Sequence, residues 1–194
     1  MIRIGIFFGG PSREREISFA GGRTVYDNLN KTIFEPVPIF IDGQGHFIQL
    51  DWQFIYKGTI RDFYPPVSSL PDSPNNFQIY SESLGNLAQE EWENLISKVG
   101  KPLQAVELPN IMDFAFLALH GEFGEDGQIQ GLLESLQIPY SGSGIRACSL
   151  GMDKVFQKRL MTAGGFEGPE VLQLSREDWA TTDVLSFLKK QVKK

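Results

Sequence analysis

Leu117 to Gly144 reads LALHGEFGEDGQIQGLLESLQIPYSGSG, and this stretch decides which fold the sequence predicts. It continues an apolar run from Phe114 to Leu119, which is short and bounded by polar residues, as a buried central strand is. A glycine turn with several carboxylates follows. The next apolar residues have the spacing of one helix face: Ile129, Leu132, Leu133 and Leu136. We therefore expect a strand, a polar turn and a helix, with the turn at the sheet edge where α/β proteins bind ligands.

The N-terminus repeats this pattern. Ile2 to Phe8 predicts a buried strand that runs into a glycine turn, and a helix should begin near Ser12 to Glu14 with Ser12 as its cap. One face of that helix is predicted from four positions: Ile17, Gly21, Val25 and Leu29. Two such units predict an α/β three-layer sandwich with a mostly parallel sheet.

The charges of the first turn limit its ligand. A glycine turn at a helix N-terminus often binds phosphate, but Glu14 and Glu16 would repel an anion, and Arg13 and Arg15 offset only part of that repulsion. The turn therefore suits an amine or a hydroxyl better. The alternative is that the two glutamates only stabilise the positive end of the helix dipole.

Weaker patterns predict the elements between these two units. Phe34 to Ile41 predicts a strand. Pro36 and Pro38 favour a sheet-edge position for it, because proline has no backbone N–H to donate. His46 to Leu50 and Trp52 to Tyr56 alternate as in a hairpin, and His46 has no role beyond that turn. Residues 62–85 predict a long surface excursion. A helix before Pro102 is predicted from Leu84, Leu87, Trp92 and Leu95.

The C-terminal part is predicted to be helical. One helix face combines Met152, Val155, Phe156 and Leu160, and Gly164 and Gly165 end that helix. Pro169 to Leu174 predicts a short strand, and a last helix starts at Ser175.

Composition narrows the class of partner. The formal net charge of −6 disfavours nucleic acid and anionic membranes, which need a basic surface. Apolar and charged contents of 41% and 22% are those of globular proteins. No apolar run reaches membrane-spanning length and no signal peptide is evident, so we expect a cytoplasmic protein whose partners are small molecules or proteins. The one cysteine, Cys148, lies among small residues and is expected to pack rather than react.

Three motifs in order resemble those of the D-alanine:D-alanine ligase family, whose members are ATP-grasp enzymes. They are GGPSREREIS at Gly9–Ser18, LHGEFGEDGQIQG at Leu119–Gly131 with IPYSGSG at Ile138–Gly144, and MDK at Met152–Lys154. The resemblance implies a Rossmann-like, substrate-binding N-terminal domain at 1–151 and the beginning of the ATP-grasp central domain at 152–194. It covers only part of such an enzyme, so the 194-residue chain is expected to be inactive alone.

The resemblance also implies roles for four residues. Glu14 matches the glutamate that holds the ammonium of the first D-alanine, and His120 matches the histidine near that substrate's carboxylate. Glu125 matches a residue that orders the His120 loop, and Lys154 matches a lysine near the nucleotide phosphates. From the residues alone, His120 ending a strand would be structural and Lys154 would be an exposed helical lysine.

The implied reaction uses ATP to activate one D-alanine as an acyl phosphate, which the amine of a second D-alanine attacks to form a cell-wall precursor. The resemblance implies Mg²⁺ with its ligands outside this chain, and a homodimer.

Three other functions remain open. A D-alanyl-D-lactate or D-alanyl-D-serine ligase has much the same N-terminal motifs. A non-catalytic α/β binding module would keep the fold but would not need Glu14, His120, Glu125 and Lys154 together. A Rossmann-type nucleotide-binding protein fits less well, because the first turn lacks the spaced G-x-G-x-x-G pattern.

Overall fold

A computed structural model of the chain describes residues 1–65, 84–85, 87–169, 171–181 and 183–192. The chain forms two compact units, Met1–Met152 and Asp153–Lys194. In the first unit the described residues form a five-stranded sheet with helices, and in the second unit they form helices.

The sheet of the first unit is mixed, with strand order β4-β3-β2-β1-β5. Its strands are β1 Ile2–Gly9, β2 Phe34–Ile41, β3 Phe47–Leu50, β4 Gly100–Leu103 and β5 Phe114–Leu117. The three strands β2, β1 and β5 run parallel, whereas β3 and β4 pair antiparallel at one side. The predicted strands at Ile2–Phe8 and Phe114–Leu119 are thus confirmed as parallel neighbours. The central position predicted for the second strand is wrong, because β5 ends at Leu117 and is the last strand of the described sheet, next to β1.

The α-helices of the first unit are α1 Arg15–Asn28, α2 Gln89–Val99, α3 Leu108–Ile111, α4 Gln128–Ser135 and α5 Ile145–Met152. The second unit contains α6 Lys154–Ala163, α7 Arg176–Thr181 and α8 Val184–Val192. Helix α4 follows the glycine turn after β5, as the sequence predicts.

Two hydrophobic clusters cover the two faces of the sheet, which gives the three layers. Alternate residues of β1 enter opposite clusters: Ile6 and Phe8 pack with Phe19 of α1, whereas Phe7 packs with Ile129 and Leu133 of α4. This follows from the period-2 alternation of side chains along a strand. Because both faces are covered, β1 from Ile4 to Gly9 and β2 from Val37 to Ile41 are buried and carry no polar side chain.

Strand β2 is not an edge strand, so that prediction is wrong. It pairs with β1 along its whole length, from Phe34 to Ile41, but with β3 only over Ile39 to Ile41. Pro36 and Pro38 lie in the half of β2 that has no β3 partner, where a missing N–H group breaks no ladder bond. The two prolines therefore lie in the part of an interior strand that has no hydrogen-bonded partner on the β3 side.

The buried face of α1 agrees with the prediction only in part. Val25 and Leu29 pack against the core as predicted. Ile17, however, is 61% exposed, whereas Ser18, Phe19 and Gly22 are buried. The true face is shifted because Gly22 allows the helix to lie directly on Phe8; an added Cβ at Gly22 would be 2.7 Å from that side chain. A small residue can thus mark the closest packing of a helix.

Two predictions for the segment between the two predicted strand–turn–helix motifs also differ from the structure. Trp52–Tyr56 is a 3₁₀ helix and does not pair with β3, which instead pairs with β2 and β4. Of the predicted surface excursion, the described part includes Phe63 and Tyr64, which are buried in the core. Residues 66–83 of the predicted excursion lie outside the described residues.

In the C-terminal part, Asp153 interrupts the predicted helix and caps α6 by accepting a hydrogen bond from the Phe156 amide at 2.9 Å. Gly165 has a φ of +82° just after α6, so the predicted glycine end of this helix is confirmed. The predicted strand Pro169–Leu174 is absent at residues 169 and 171–174, and the predicted last helix is divided into α7 and α8.

Candidate active site

The candidate site lies where the chain leaves β1 and β5 at their carboxyl ends. Strand β1 is followed in the chain by its neighbour on one side, β2, whereas its other neighbour, β5, comes much later. The point between β1 and β5 is therefore the topological switch point of the sheet, where α/β proteins form a binding crevice. Glu14 follows β1, and His120 follows β5.

The loop after β1 is held by short-range hydrogen bonds. Ser12 is buried, and its Oγ accepts a hydrogen bond from the Glu14 amide at 3.1 Å. Helix α1 then begins at Arg15, with Glu14 in the N-cap position and no side-chain cap. The predicted cap at Ser12 is thus wrong: its hydroxyl closes the turn before the helix. Glu14 itself is exposed at the end of this turn.

Two other charged residues of this turn, Arg15 and Glu16, form hydrogen bonds that hold the fold. Arg15 is buried and its Nη2 donates to the Pro11 carbonyl at 3.1 Å. A Glu16 carboxylate oxygen accepts from the Ile60 amide at 3.1 Å. The two glutamates therefore differ: Glu16 joins α1 to the 3₁₀ helix Ile60–Asp62, and Glu14 is the carboxylate at the strand end.

The loop after β5 is organised by Glu125 and Asp126. Glu125 Oε2 accepts from the Gly121 amide at 2.7 Å, and the Glu125 amide donates to the Gly121 carbonyl at 2.8 Å. Asp126 accepts from the amides of Phe123 and Gln128 at 2.8 and 3.1 Å. Burial opposes ionisation of Asp126, but these hydrogen bonds outweigh it and lower its pKa. Both carboxylates fix the backbone of the loop that carries His120.

The two loops meet at Gly121. Its φ of +71° favours glycine, and an added Cβ would clash with Ser12 Oγ and lie 2.9 Å from Glu14 Oε2. The Glu14 carboxylate therefore lies against the residue that follows His120 and that Glu125 holds by its amide. The fold brings three of the four predicted site residues to one place: Glu14, His120 and Glu125. His120 is half-buried there.

Lys154, the fourth predicted residue, belongs to the second unit. It is the first residue of α6 and is exposed, directly after the capping residue Asp153. The MDK motif thus forms the end of α5, the cap of α6 and its first helical residue.

A buried polar cluster after β2 was missed by the sequence analysis. Asp42 is fully buried, and its carboxylate accepts from the His46 amide at 2.9 Å and the Tyr64 hydroxyl at 3.1 Å. His46 Nδ1 lies 3.0 Å from Asp42 Oδ2, and the His46 ring packs on Trp92 with centroids 4.6 Å apart. Burial, and then the Asp42 charge, raise the pKa of Tyr64. His46 therefore does more than form a turn: with Asp42 it joins the end of β2 to α2.

Cys148 has the environment of a packing residue. Its thiol donates to the Ser143 carbonyl at 3.3 Å. Burial, followed by the charges of Glu125 and Asp126, raises the pKa of this thiol. A raised pKa disfavours the thiolate, which is the nucleophilic form.

Within the described residues, no group of three or more His, Cys, Asp or Glu side chains is arranged to hold a metal ion. None of the helices in the described part of the chain is long and apolar enough to cross a membrane.

Comparison with known proteins identifies the family. The family model described as D-ala D-ala ligase N-terminus matches residues 3–143. The chain is 32% identical over 178 residues to the D-alanine–D-alanine ligase of Natranaerobius thermophilus, covering 92% of this chain and 43% of that protein. It is 35% identical over 178 residues to the enzyme of the same name from Mycobacterium ulcerans, covering 91% and 45%.

Solved structures of ligases have a similar fold over most of this chain. The D-alanine-D-alanine ligase of Coxiella burnetii has the same fold, with a TM-score of 0.67 at 24% identity over 98% of this chain and 50% of that chain. The VanG D-Ala:D-Ser ligase of Enterococcus faecalis gives 0.60 at 26%, covering 93% and 47%. The Bacillus anthracis D-alanine–D-alanine ligase complexed with ATP gives 0.55 at 27%, covering 92% and 42%.

This chain belongs to the D-alanine–D-alanine ligase family and corresponds to its N-terminal part. It spans about half the length of the curated relatives that it matches.

Proposed function

We propose that this chain is the N-terminal, D-alanine-binding part of an ATP-dependent D-alanine:D-alanine ligase. The observation that carries the proposal is the junction at Gly121, against which the Glu14 carboxylate lies and beside which His120 begins its loop. A non-catalytic module would need neither an exposed carboxylate at this junction nor a histidine next to it.

Glu14 binds the ammonium group of the first D-alanine. Its carboxylate is exposed at the carboxyl end of β1, and the Ser12 hydroxyl fixes its backbone. A fixed carboxylate binds an ammonium through charge-assisted hydrogen bonds, which are stronger than neutral ones. The same negative charge disfavours a phosphate in this turn, so the nucleotide binds at a different site from the amino acid.

His120 orients the carboxylate of the same D-alanine by donating a ring N–H, and Glu125 keeps the His120 loop in place. The two hydrogen bonds between Glu125 and Gly121 support this division of roles, because they use the Glu125 carboxylate for the backbone. Glu125 is therefore a positioning residue.

Residues 1–151 then form the substrate-binding domain, and residues 152–194 begin the ATP-grasp central domain. Lys154 contacts the phosphates of ATP, and the neighbour solved with ATP supports this choice of nucleotide. Mg²⁺ offsets phosphate charge in such reactions. The family resemblance implies that the ligands of this ion lie outside this chain.

In the whole protein, ATP phosphorylates the carboxylate of the D-alanine held by Glu14 and His120, and the amine of a second D-alanine attacks the acyl phosphate. The dipeptide is a peptidoglycan precursor. We place this activity in the cytoplasm, in a homodimer, without a nucleic-acid partner. The net charge of −6 supports the last point.

A second candidate is a ligase that joins D-alanine to D-serine or D-lactate. The similarity to the VanG D-Ala:D-Ser ligase, at 26% identity, favours keeping it. Both candidates use the same first substrate, so Glu14 and His120 have the same roles in each.

The test is ADP release by the gene product extended to its natural stop codon. D-alanine is supplied alone, with D-serine or with D-lactate, and the products are identified by mass spectrometry. Release with D-alanine alone, giving D-alanyl-D-alanine, supports the proposal. Release only with a mixture supports the second candidate, and no release in any mixture supports a non-catalytic module.

A further inference from the structure

Ser18 is a buried hydroxyl in α1 that none of the roles above uses. It is fully buried, and its Oγ has two backbone partners. It accepts a hydrogen bond from the Gly9 amide at 2.8 Å and donates one to the Ala118 carbonyl at 2.9 Å. The second partner is 100 residues away in the chain.

These two partners lie where β1 and β5 separate. The last paired residues of the two strands are Phe7 and Leu117, and the Ala118 amide still donates to the Phe7 carbonyl at 2.9 Å. Beyond this point Gly10 turns toward β2, because its amide donates to the Ile41 carbonyl at 2.7 Å. The Ser18 hydroxyl therefore joins the two strand ends after their own pairing has stopped.

Both loops of the candidate site begin at these atoms. Gly9 begins the turn that leads to Glu14, and Ala118 is two residues before His120. The Ser18 amide also donates to the Glu14 carbonyl at 3.0 Å. One residue thus contacts the end of β1, the residue that carries the proposed ammonium ligand, and the strand end that carries the proposed carboxylate ligand.

We infer that Ser18 is a positioning residue that sets the spacing between Glu14 and His120, and so the fit of the site to one D-amino acid. This inference rests on the proposed function. The two ligands must reach the ammonium and the carboxylate of the same small substrate, so a small change in the spacing of the loops weakens binding. Replacing Ser18 with alanine would leave the buried Gly9 N–H and Ala118 C=O without this partner, which favours movement of the two loops apart.

The test uses the gene product extended to its natural stop codon, with Ser18→Ala, Ser18→Thr and the control Ser135→Ala. Ser135 is matched because it is also a helical serine whose hydroxyl donates to a backbone carbonyl, that of Gly131 at 2.8 Å, but it is exposed and lies away from the junction. Ser18→Ala should raise the KM for D-alanine about tenfold while leaving the KM for ATP within about twofold. Ser18→Thr keeps the hydroxyl and should restore most of the affinity.

Hydrogen exchange provides a second readout on the 194-residue chain. The Gly9 amide should exchange at least about tenfold faster in Ser18→Ala than in the wild type, and Ser135→Ala should not change it. If the KM for D-alanine stays at the wild-type value while the unfolding midpoint falls, Ser18 is only structural and the inference is overturned. An unchanged Gly9 exchange rate overturns it equally. A wild-type gene product without ligase activity would instead contradict the proposed function.

Discussion

The two units of the chain differ in how completely they bury their apolar residues. The first unit has two clusters of buried side chains around its sheet, with Phe7, Phe8 and Phe19 at most 1% exposed. In the described part of the second unit no residue is buried, and its large apolar side chains Phe166 and Trp179 are both 65% exposed. Helices of about ten residues are only marginally stable without an apolar face to pack on. The difference therefore indicates that the first unit contributes most of the free energy that stabilises this chain.

The largest expected effect is in hydrogen exchange of the whole chain. Amides in the middle of β1, from Ile4 to Phe8, should open only by global unfolding and exchange on the order of 10⁴-fold more slowly than amides in α6 to α8. Digestion followed by mass spectrometry measures the exchange of amides from both units in the same sample. Equal protection of the amides in the two units would contradict the claim that the first unit is the more stable one.

A matched pair of substitutions tests the same difference by stability. Phe8→Ala removes a fully buried ring and should lower the free energy of unfolding by about 3–5 kcal/mol. Phe166→Ala removes an exposed ring and should change it by less than about 0.5 kcal/mol. Urea unfolding followed by circular dichroism measures both, and similar losses would mean that Phe166 is packed in solution.

Gly121→Ala tests the junction within the first unit. The positive φ and the clash with Ser12 Oγ should together lower stability by about 2–4 kcal/mol. Gly142→Ala is the control, because Gly142 has a φ of +100° but open space around an added Cβ, so only about 1 kcal/mol of backbone strain remains. Equal effects in urea unfolding would mean that the loops do not meet at Gly121.

The smallest expected effect concerns the ion pair at the amino end of β1. Asp113 accepts from the Arg3 guanidinium at 2.6 Å and from the Arg3 amide at 2.8 Å, and these bonds lower its pKa to about 2. Because the folded-state pKa is depressed, this contribution to stability is present above about pH 4 and is lost as the pH falls toward 2. Asp113→Asn should therefore reduce the fall in the urea midpoint between pH 5 and pH 2.5, and an unchanged fall would contradict this contribution of the ion pair.

The sequence predicted the elements whose signal is local. The apolar runs at β1 and β5 and the helical spacing of α4 follow directly from side-chain periodicity, and these elements position the candidate site. Glu14, His120 and Glu125 could be named from their motifs, and the structure brings them together at Gly121. Their roles remain predictions.

What the sequence could not predict depends on distant contacts. Ser18 looks like a polar residue in a helix, because its partner Ala118 comes 100 residues later. Asp42 looks like a turn residue, but Tyr64 and Trp92 cover it from later segments. Strand β2 was assigned to an edge because proline removes a donor, and only the register with β3 shows that no donor is needed there. Tertiary pairing decided each case.

The most direct measurement of the central claim is kcat/KM for D-alanine of the gene product extended to its natural stop codon, compared with the wild type for Glu14→Gln and Glu122→Gln. Glu122 is an exposed glutamate in the His120 loop, two residues after His120, and is the matched control. Losing the charge that binds the ammonium should lower kcat/KM for D-alanine by about 10²-fold in Glu14→Gln and by less than about twofold in Glu122→Gln. Equal kinetics in the two variants would contradict the assignment of Glu14 and of the junction at Gly121 as the D-alanine site.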